Sequence, residues 1–109
     1  MFATISVPTA VSGRQVFNPE EIVRLEASSN YTRIYFTNKS KMVCAKVLKD
    51  FVPVLEPFGF LRTHRAHLVN KRHIARVTHT GSIIMNDESV AEISRRMKTG
   101  VMRALRNAS

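Results

Sequence analysis

The chain has 109 residues, with 17 Lys and Arg against 8 Asp and Glu, a formal net charge of +9 at pH 7, and a composition 44% hydrophobic and 7% aromatic. That length suits one domain, and that apolar fraction can fill a core, which excludes an intrinsically disordered chain. No run approaches the roughly 18 consecutive apolar residues of a membrane-spanning helix, and Met1–Pro8 lacks the basic start and sustained apolar stretch of a signal peptide.

The single Cys44 excludes an intramolecular disulfide and fits a reducing compartment. A cytoplasmic protein without membrane contact is expected. The isoelectric point near 10.7 falls in the range of nucleic-acid-binding domains.

In chain order, residues 1–14 read as an N-terminal extension and 15–109 as the domain. Val23, Leu25 and Ala27 alternate with Arg24 and Glu26, which predicts a half-buried strand. After a polar turn at Ser28-Ser29-Asn30, Ile34 and Phe36 alternate with Arg33 and Tyr35 in a second strand. Thr37-Asn38-Lys39-Ser40 then connects, hairpin-like, to Lys41–Ala45. Over 46–56 the period changes: Val47, Leu48, Phe51, Val54 and Leu55 recur at helical spacing. Asp50 as N-cap would place Pro53 in the first turn, where a missing N–H costs nothing. Pro57-Phe58-Gly59 ends this helix. Phe60–Thr63 reads as a strand, Ile74–Thr78 and Ser82–Met85 as a hairpin around Thr80-Gly81, and Asn86–Ser89 as a turn into Val90–Ile93. The chain closes on a helix whose apolar stripe is Met97, Val101, Ala104 and Leu105, weakened by Gly100. The fold class is mostly β with short helices.

The positive charge is concentrated. Residues 60–76 hold Arg62, Arg65, Lys71, Arg72 and Arg76; residues 93–106 hold Arg95, Arg96, Lys98, Arg103 and Arg106; neither segment contains an acid. Such blocks point to a polyanion partner. Within the first, Leu68, Val69 and Ile74 read as anchors, while Arg65, Asn70, Lys71 and Arg72 read as presented outward. Arginine can read guanine through two acceptors, asparagine serves other base edges, and lysine supplies phosphate attraction. In the second, Ser94 stands where an N-cap is wanted, so Arg95 and Arg96 would fall in a first helical turn. Two cations there oppose the helix dipole unless a phosphate occupies the site. The competing reading is two solvated arginines whose stems lie over apolar surface.

His64, His67 and His73 could suggest a metal, but no carboxylate or cysteine stands near them in sequence and their neighbours are cationic. Hydrogen-bonded structural roles suit His64 and His67 better. G-x-S-x-G, P-loop and H-E-x-x-H motifs are all missing. Neither enzymatic activity nor a cofactor is expected, and Cys44 reads as a small buried hydrophobe.

Three blocks now stand in register. Ile22–Phe36, reading Ile-Val-Arg-Leu-Glu-Ala-Ser-Ser-Asn-Tyr-Thr-Arg-Ile-Tyr-Phe, resembles the first block of LytTR domains, the DNA-binding modules of the LytR/AlgR class of bacterial response regulators. Phe60-Leu61-Arg62-Thr63-His64-Arg65-Ala66-His67-Leu68-Val69-Asn70, followed by Ile74, resembles the family's central F-x-R-x-H-R-S-x-L-V-N-x-x-x-I pattern. Ile93-Ser94-Arg95-Arg96 resembles its terminal I-S-R-R. Together the resemblance spans residues 15–106. It implies about ten short strands in three small antiparallel sheets with short helices, and loops that enter successive major grooves of duplex DNA and bend it. It further implies a contacting loop at Asn30-Tyr31-Thr32-Arg33 with Thr32 facing a base, base contacts from Arg65 and Arg95, and phosphate contacts from Lys71, Arg72, Arg96 and Lys98.

Two departures stand out. Ala66 occupies a position where the family commonly has serine. Family modules usually follow a phospho-acceptor receiver domain, for which this chain has no room, so it reads as a free-standing regulator or an excised C-terminal domain. A homodimer on DNA repeats is an expected arrangement. The alternative from another class is a regulatory module whose basic face docks an acidic protein or a membrane-bound inhibitor without reading DNA sequence.

Overall fold

The computed structural model describes residues 4–8 and 14–106. Ten strands, all paired antiparallel, make three sheets within these residues. β1 (Ile5–Pro8) and β2 (Arg14–Phe17) form a two-stranded ribbon. β3 (Ile22–Ser28), β4 (Tyr31–Phe36), β5 (Lys41–Cys44), β6 (Phe60–His64) and β7 (His67–Asn70) form a five-stranded sheet in the order β5-β4-β3-β7-β6. β8 (Ile74–Val77), β9 (Ser82–Met85) and β10 (Val90–Glu92) form a three-stranded sheet in the order β10-β9-β8. Short helices complete it: α1 (Val52–Leu55) and α2 (Lys98–Arg106), with single 3₁₀ turns at Pro19–Glu21, Leu48–Asp50, Glu56–Phe58 and Lys71–His73.

The central five-stranded sheet is covered on both faces. One core holds Ile5, Ile22, Leu25, Ile34, Phe36, Cys44, Leu48, Phe51, Leu55, Phe60 and Leu68. The other holds Val23, Val69, Ile83, Met85, Ala91 and Val101, so the three-stranded sheet and α2 close the second face. β3 serves both cores through a bulge. The register with β4 slips between Ile22 and Arg24, leaving Val23 as the extra residue. Four consecutive residues, Ile22 to Leu25, are therefore buried, which plain alternation cannot produce. Val23 accordingly packs in a different core from Leu25 and Ala27, although the alternation placed the three on one face.

Arg24, opposite Val69 and Tyr35, is buried and fully engaged. Its Nε donates to Ser89 Oγ at 2.9 Å, its Nη1 to Glu26 Oε1 at 2.7 Å, and its guanidinium lies 4.1 Å from the Tyr35 ring centroid. A buried cation with a carboxylate, a hydroxyl and a ring face around it is compensated, and it fastens the β9–β10 turn to the central sheet.

Three expectations change. Residues 46–56 do not form one continuous helix: α1 is a single turn, with Pro53 in that first turn as expected, and 3₁₀ turns lie on either side of it. Asp50 ends the first 3₁₀ turn, and Phe51, without a side-chain hydrogen bond, precedes α1. Of the apolar stripe Leu48, Phe51 and Leu55 are buried, while Val47 and Val54 stay exposed. The stretch 1–14 is partly built into the domain, since Ile5 pairs with Phe17 and is buried in the first core. Finally, Arg95 and Arg96 lie in a turn ahead of α2, outside its first helical turn. Ser94 Oγ caps that turn by accepting from the Met97 N–H at 3.1 Å.

Candidate nucleic-acid interface

Antiparallel register gathers loops that are distant in sequence at one end of the central sheet. Ser28 pairs with Tyr31, so the two-residue turn Ser29-Asn30 lies there, with Ser29 at φ 57°. Thr32 pairs with Cys44, which brings residues 45–47 to the same end. His64 pairs with His67, and Ala27 N–H donates to Ala66 O at 2.9 Å, which sets the Arg65-Ala66 turn beside the end of β3. The last basic block is tied in as well. Ser94 N–H donates to Thr63 O at 2.8 Å, and Thr63 Oγ1 donates to Glu92 O at 2.9 Å. Four strand spacings of about 4.8 Å separate β5 from β6, so this fringe of loops is roughly 19 Å wide.

The Arg65-Ala66 turn is braced from within the motif. Arg62 Nε donates to His64 O at 3.1 Å and Arg62 Nη2 donates to Arg65 O at 2.7 Å. Ala66 N–H donates to His64 Nδ1 at 3.0 Å. With Ala66 O held by Ala27 N–H, three carbonyls and one amide of this turn have partners without a hydroxyl at position 66. The Arg65 side chain is left exposed. Among the described residues, no carboxylate lies within ion-pair distance of Arg65, Arg95, Arg96 or Lys98, and all four are exposed.

Other expected positions are placed differently. Thr32 is not presented at the surface: it is 0% exposed, and its Oγ1 donates to Lys46 O at 2.7 Å. Its neighbours Asn30 and Tyr31 are exposed, Tyr31 at 48%, and Arg33 is half-buried with a long 3.9 Å approach to Glu26. Asn70 is not presented outward either. It is 1% exposed, its Nδ2 donates to Ile22 O at 3.0 Å and to Pro19 O at 3.4 Å, and its Oδ1 accepts from Arg72 N–H at 3.1 Å. Lys71 and Arg72 sit at the opposite end of β7 from Arg65, roughly 17 Å away at about 3.4 Å per residue. There Arg72 Nη1 meets Glu20 Oε1 at 2.8 Å in an exposed pair worth little. The contiguous basic segment 60–76 is thus split between two ends of the sheet.

His64 has its expected hydrogen bond, whereas the buried Nδ1 of His67 meets no hydrogen-bonding group among the described residues. Burial, followed by the charges of Arg24 and His64, holds His67 below the ordinary histidine value of 6.5 against the opposing pull of Glu26 and Glu92. Across the β3–β7 ladder, burial alone would raise Glu26. The hydrogen bond and charge of Arg24 outweigh it with help from His67 and Arg33, so this carboxyl lies below its ordinary value.

The positions that sequence reasoning missed are Arg62 as a turn brace and Lys46 as the exposed neighbour of the β3–β4 turn. Their shared signal is pairing register, which a linear reading of 60–76 does not expose.

Residues 13–106 match the family model of the LytTr DNA-binding domain. The chain belongs to the LytTR DNA-binding domain family. No curated protein matches it. Among solved structures, it is similar to a LytTr DNA-binding domain of a protein from Bacillus cereus described as a methyl-accepting/DNA response regulator. The two share 20% identity over 94% of this chain and 96% of that one, with a TM-score of 0.78. That likeness shows the fold: small antiparallel sheets with short helices, as the LytTR resemblance implied. The family is a DNA-binding one rather than an enzymatic one, and DNA is the partner it implies for this LytTR domain. Among the described residues no helix is long and apolar enough to cross a membrane.

Proposed function

We propose that this LytTR domain regulates transcription by binding duplex DNA sequence-specifically through the loop fringe of its central sheet, with loops entering successive major grooves. One observation carries the reading: a braced turn leaves Arg65 exposed at the same end as Asn30, Tyr31, Lys46 and the Arg95-Arg96 turn. Arg65 and Arg95 have the fork geometry that matches guanine O6 and N7. Asn30 and Tyr31 offer polar edges beside them, while Arg33, Lys46, Arg96 and Lys98 supply phosphate contacts. Lys71 and Arg72 then act on backbone phosphates of a flanking turn, reached when the duplex bends toward them. Thr32 and Asn70 stand behind the contacting surface as framework. A second copy on a neighbouring DNA repeat and a receiver domain joined to residues 15–109 complete the proposed partners.

Titration of labelled target and random duplexes over a salt series tests these roles. Arg65→Ala should cost about 1–3 kcal/mol on the target and much less on random DNA, while Lys98→Ala should weaken both alike and lower the salt slope by about one. An equal loss on both DNAs for Arg65→Ala would remove it from base readout.

A further inference from the structure

Arg62 belongs to the first basic block, and composition alone would count it as another phosphate ligand. Its surroundings point elsewhere. β6 and β7 lose register between Arg62 and His64, a bulge immediately ahead of the turn carbonyls. Arg62 is half-buried and covers two of them with one guanidinium, His64 O from Nε and Arg65 O from Nη2. His64 adds its ring nitrogen for the Ala66 amide. The planar fork of Arg62 thus spans the two peptide groups on either side of the Cα that carries the Arg65 side chain.

We propose that Arg62 is a positioning residue, which with His64 fixes the Arg65 turn for base readout, and that it is not a phosphate ligand. This rests on the reading of Arg65 above. Two of its donor groups are spent on carbonyls in a geometry a lysine cannot copy, because an ammonium is a single point donor without the fork. The charge of Arg62 is therefore dispensable to binding, whereas its shape is not. Misaiming Arg65 leaves backbone attraction intact and removes the difference between right and wrong sequences.

The test uses the full chain with Arg62→Lys, Arg62→Gln and Arg62→Ala, each confirmed folded by its thermal transition and assayed well below it. A target duplex, defined by selection with the wild type, is compared with a random duplex across a salt series. Arg62→Lys should lose tenfold or more on the target, stay within about twofold on random DNA, and keep the salt slope. A role in stability alone would scale both DNAs by the folded fraction and leave their ratio unchanged, which overturns the proposal. So does target affinity retained by Arg62→Lys together with a salt slope lowered by about one in Arg62→Ala and Arg62→Gln, the signature of a phosphate contact. If the wild type selects no target at all, base readout itself fails; if it does and Arg62→Lys matches it, only the role of Arg62 fails.

Discussion

Replacing Asn70 with alanine separates a framework residue from a DNA contact. The side chain makes two well-formed hydrogen bonds, Nδ2 to Ile22 O at 3.0 Å and Oδ1 from Arg72 N–H at 3.1 Å, and a longer one to Pro19 O at 3.4 Å. Losing the part-buried bond to Arg72 N–H costs about 1 kcal/mol, and losing the buried one, which strands Ile22 O, costs about 1–3 kcal/mol. Arg72 N–H opens the 3₁₀ turn Lys71–His73, so the substitution also removes a cap. The sum is a loss of about 2–4 kcal/mol from a domain whose whole stability is expected at about 5–15 kcal/mol. In urea, with a slope of about 2 kcal/mol per molar, the midpoint should fall by about 1–2 M. Asn70→Asp should do no better, since a carboxylate cannot donate to Ile22 O. Folded Asn70→Ala, held well below its transition, should keep the wild-type salt slope and the wild-type preference for target over random DNA. Stability within 0.5 kcal/mol of wild type (a difference too small for two lost buried bonds), with target affinity down tenfold, would refute this and make Asn70 a contact.

Thr32→Val keeps the shape of a fully buried side chain and deletes its bond to Lys46 O; it should cost about 1 kcal/mol in urea denaturation while leaving target preference unchanged. A lost preference without lost stability would mean that Thr32 reaches the DNA. For His67, folding holds the proton affinity below the ordinary value of 6.5, so below that pH the unfolded chain takes up a proton that the folded one resists. Its contribution is fully present above about 6.5 and shrinks as pH falls toward the lowered folded value. Urea midpoints between pH 7 and 5 should therefore decline more steeply in wild type than in His67→Gln, and parallel declines would remove His67 as the cause.

Much of the β framework was legible because period-2 alternation survives in β4, and because the polar turns at Ser28–Asn30 and Asn86–Ser89 punctuate the strands. Leu25, Ile34, Leu48, Phe51, Leu55, Leu68, Val69 and Val101 lie inside, as their spacing required. Pairing was not legible. A bulge at Val23 reassigns one side chain to another core without disturbing the local pattern, and Ile5 reveals its partner Phe17 only in the pairing of β1 with β2. At the candidate interface, exposed Arg65, Arg95, Arg96 and Lys98 were recognisable from charge and motif. Charge says nothing of direction along a strand, however. Four residues of β7 carry Lys71 and Arg72 to the far end of the sheet, and the polar Thr32 and Asn70 spend their hydrogen-bonding groups indoors. Polar type alone does not distinguish a base edge from a backbone carbonyl as the partner.

Selection from a random duplex library by the purified chain, at near-physiological salt and followed by sequencing, tests sequence-specific readout most directly. The account predicts a short enriched motif that contains guanines, one of which loses its enrichment when Arg65→Ala replaces the wild type. DNA retained without any enriched sequence would contradict it, leaving phosphate attraction as all that this basic surface provides.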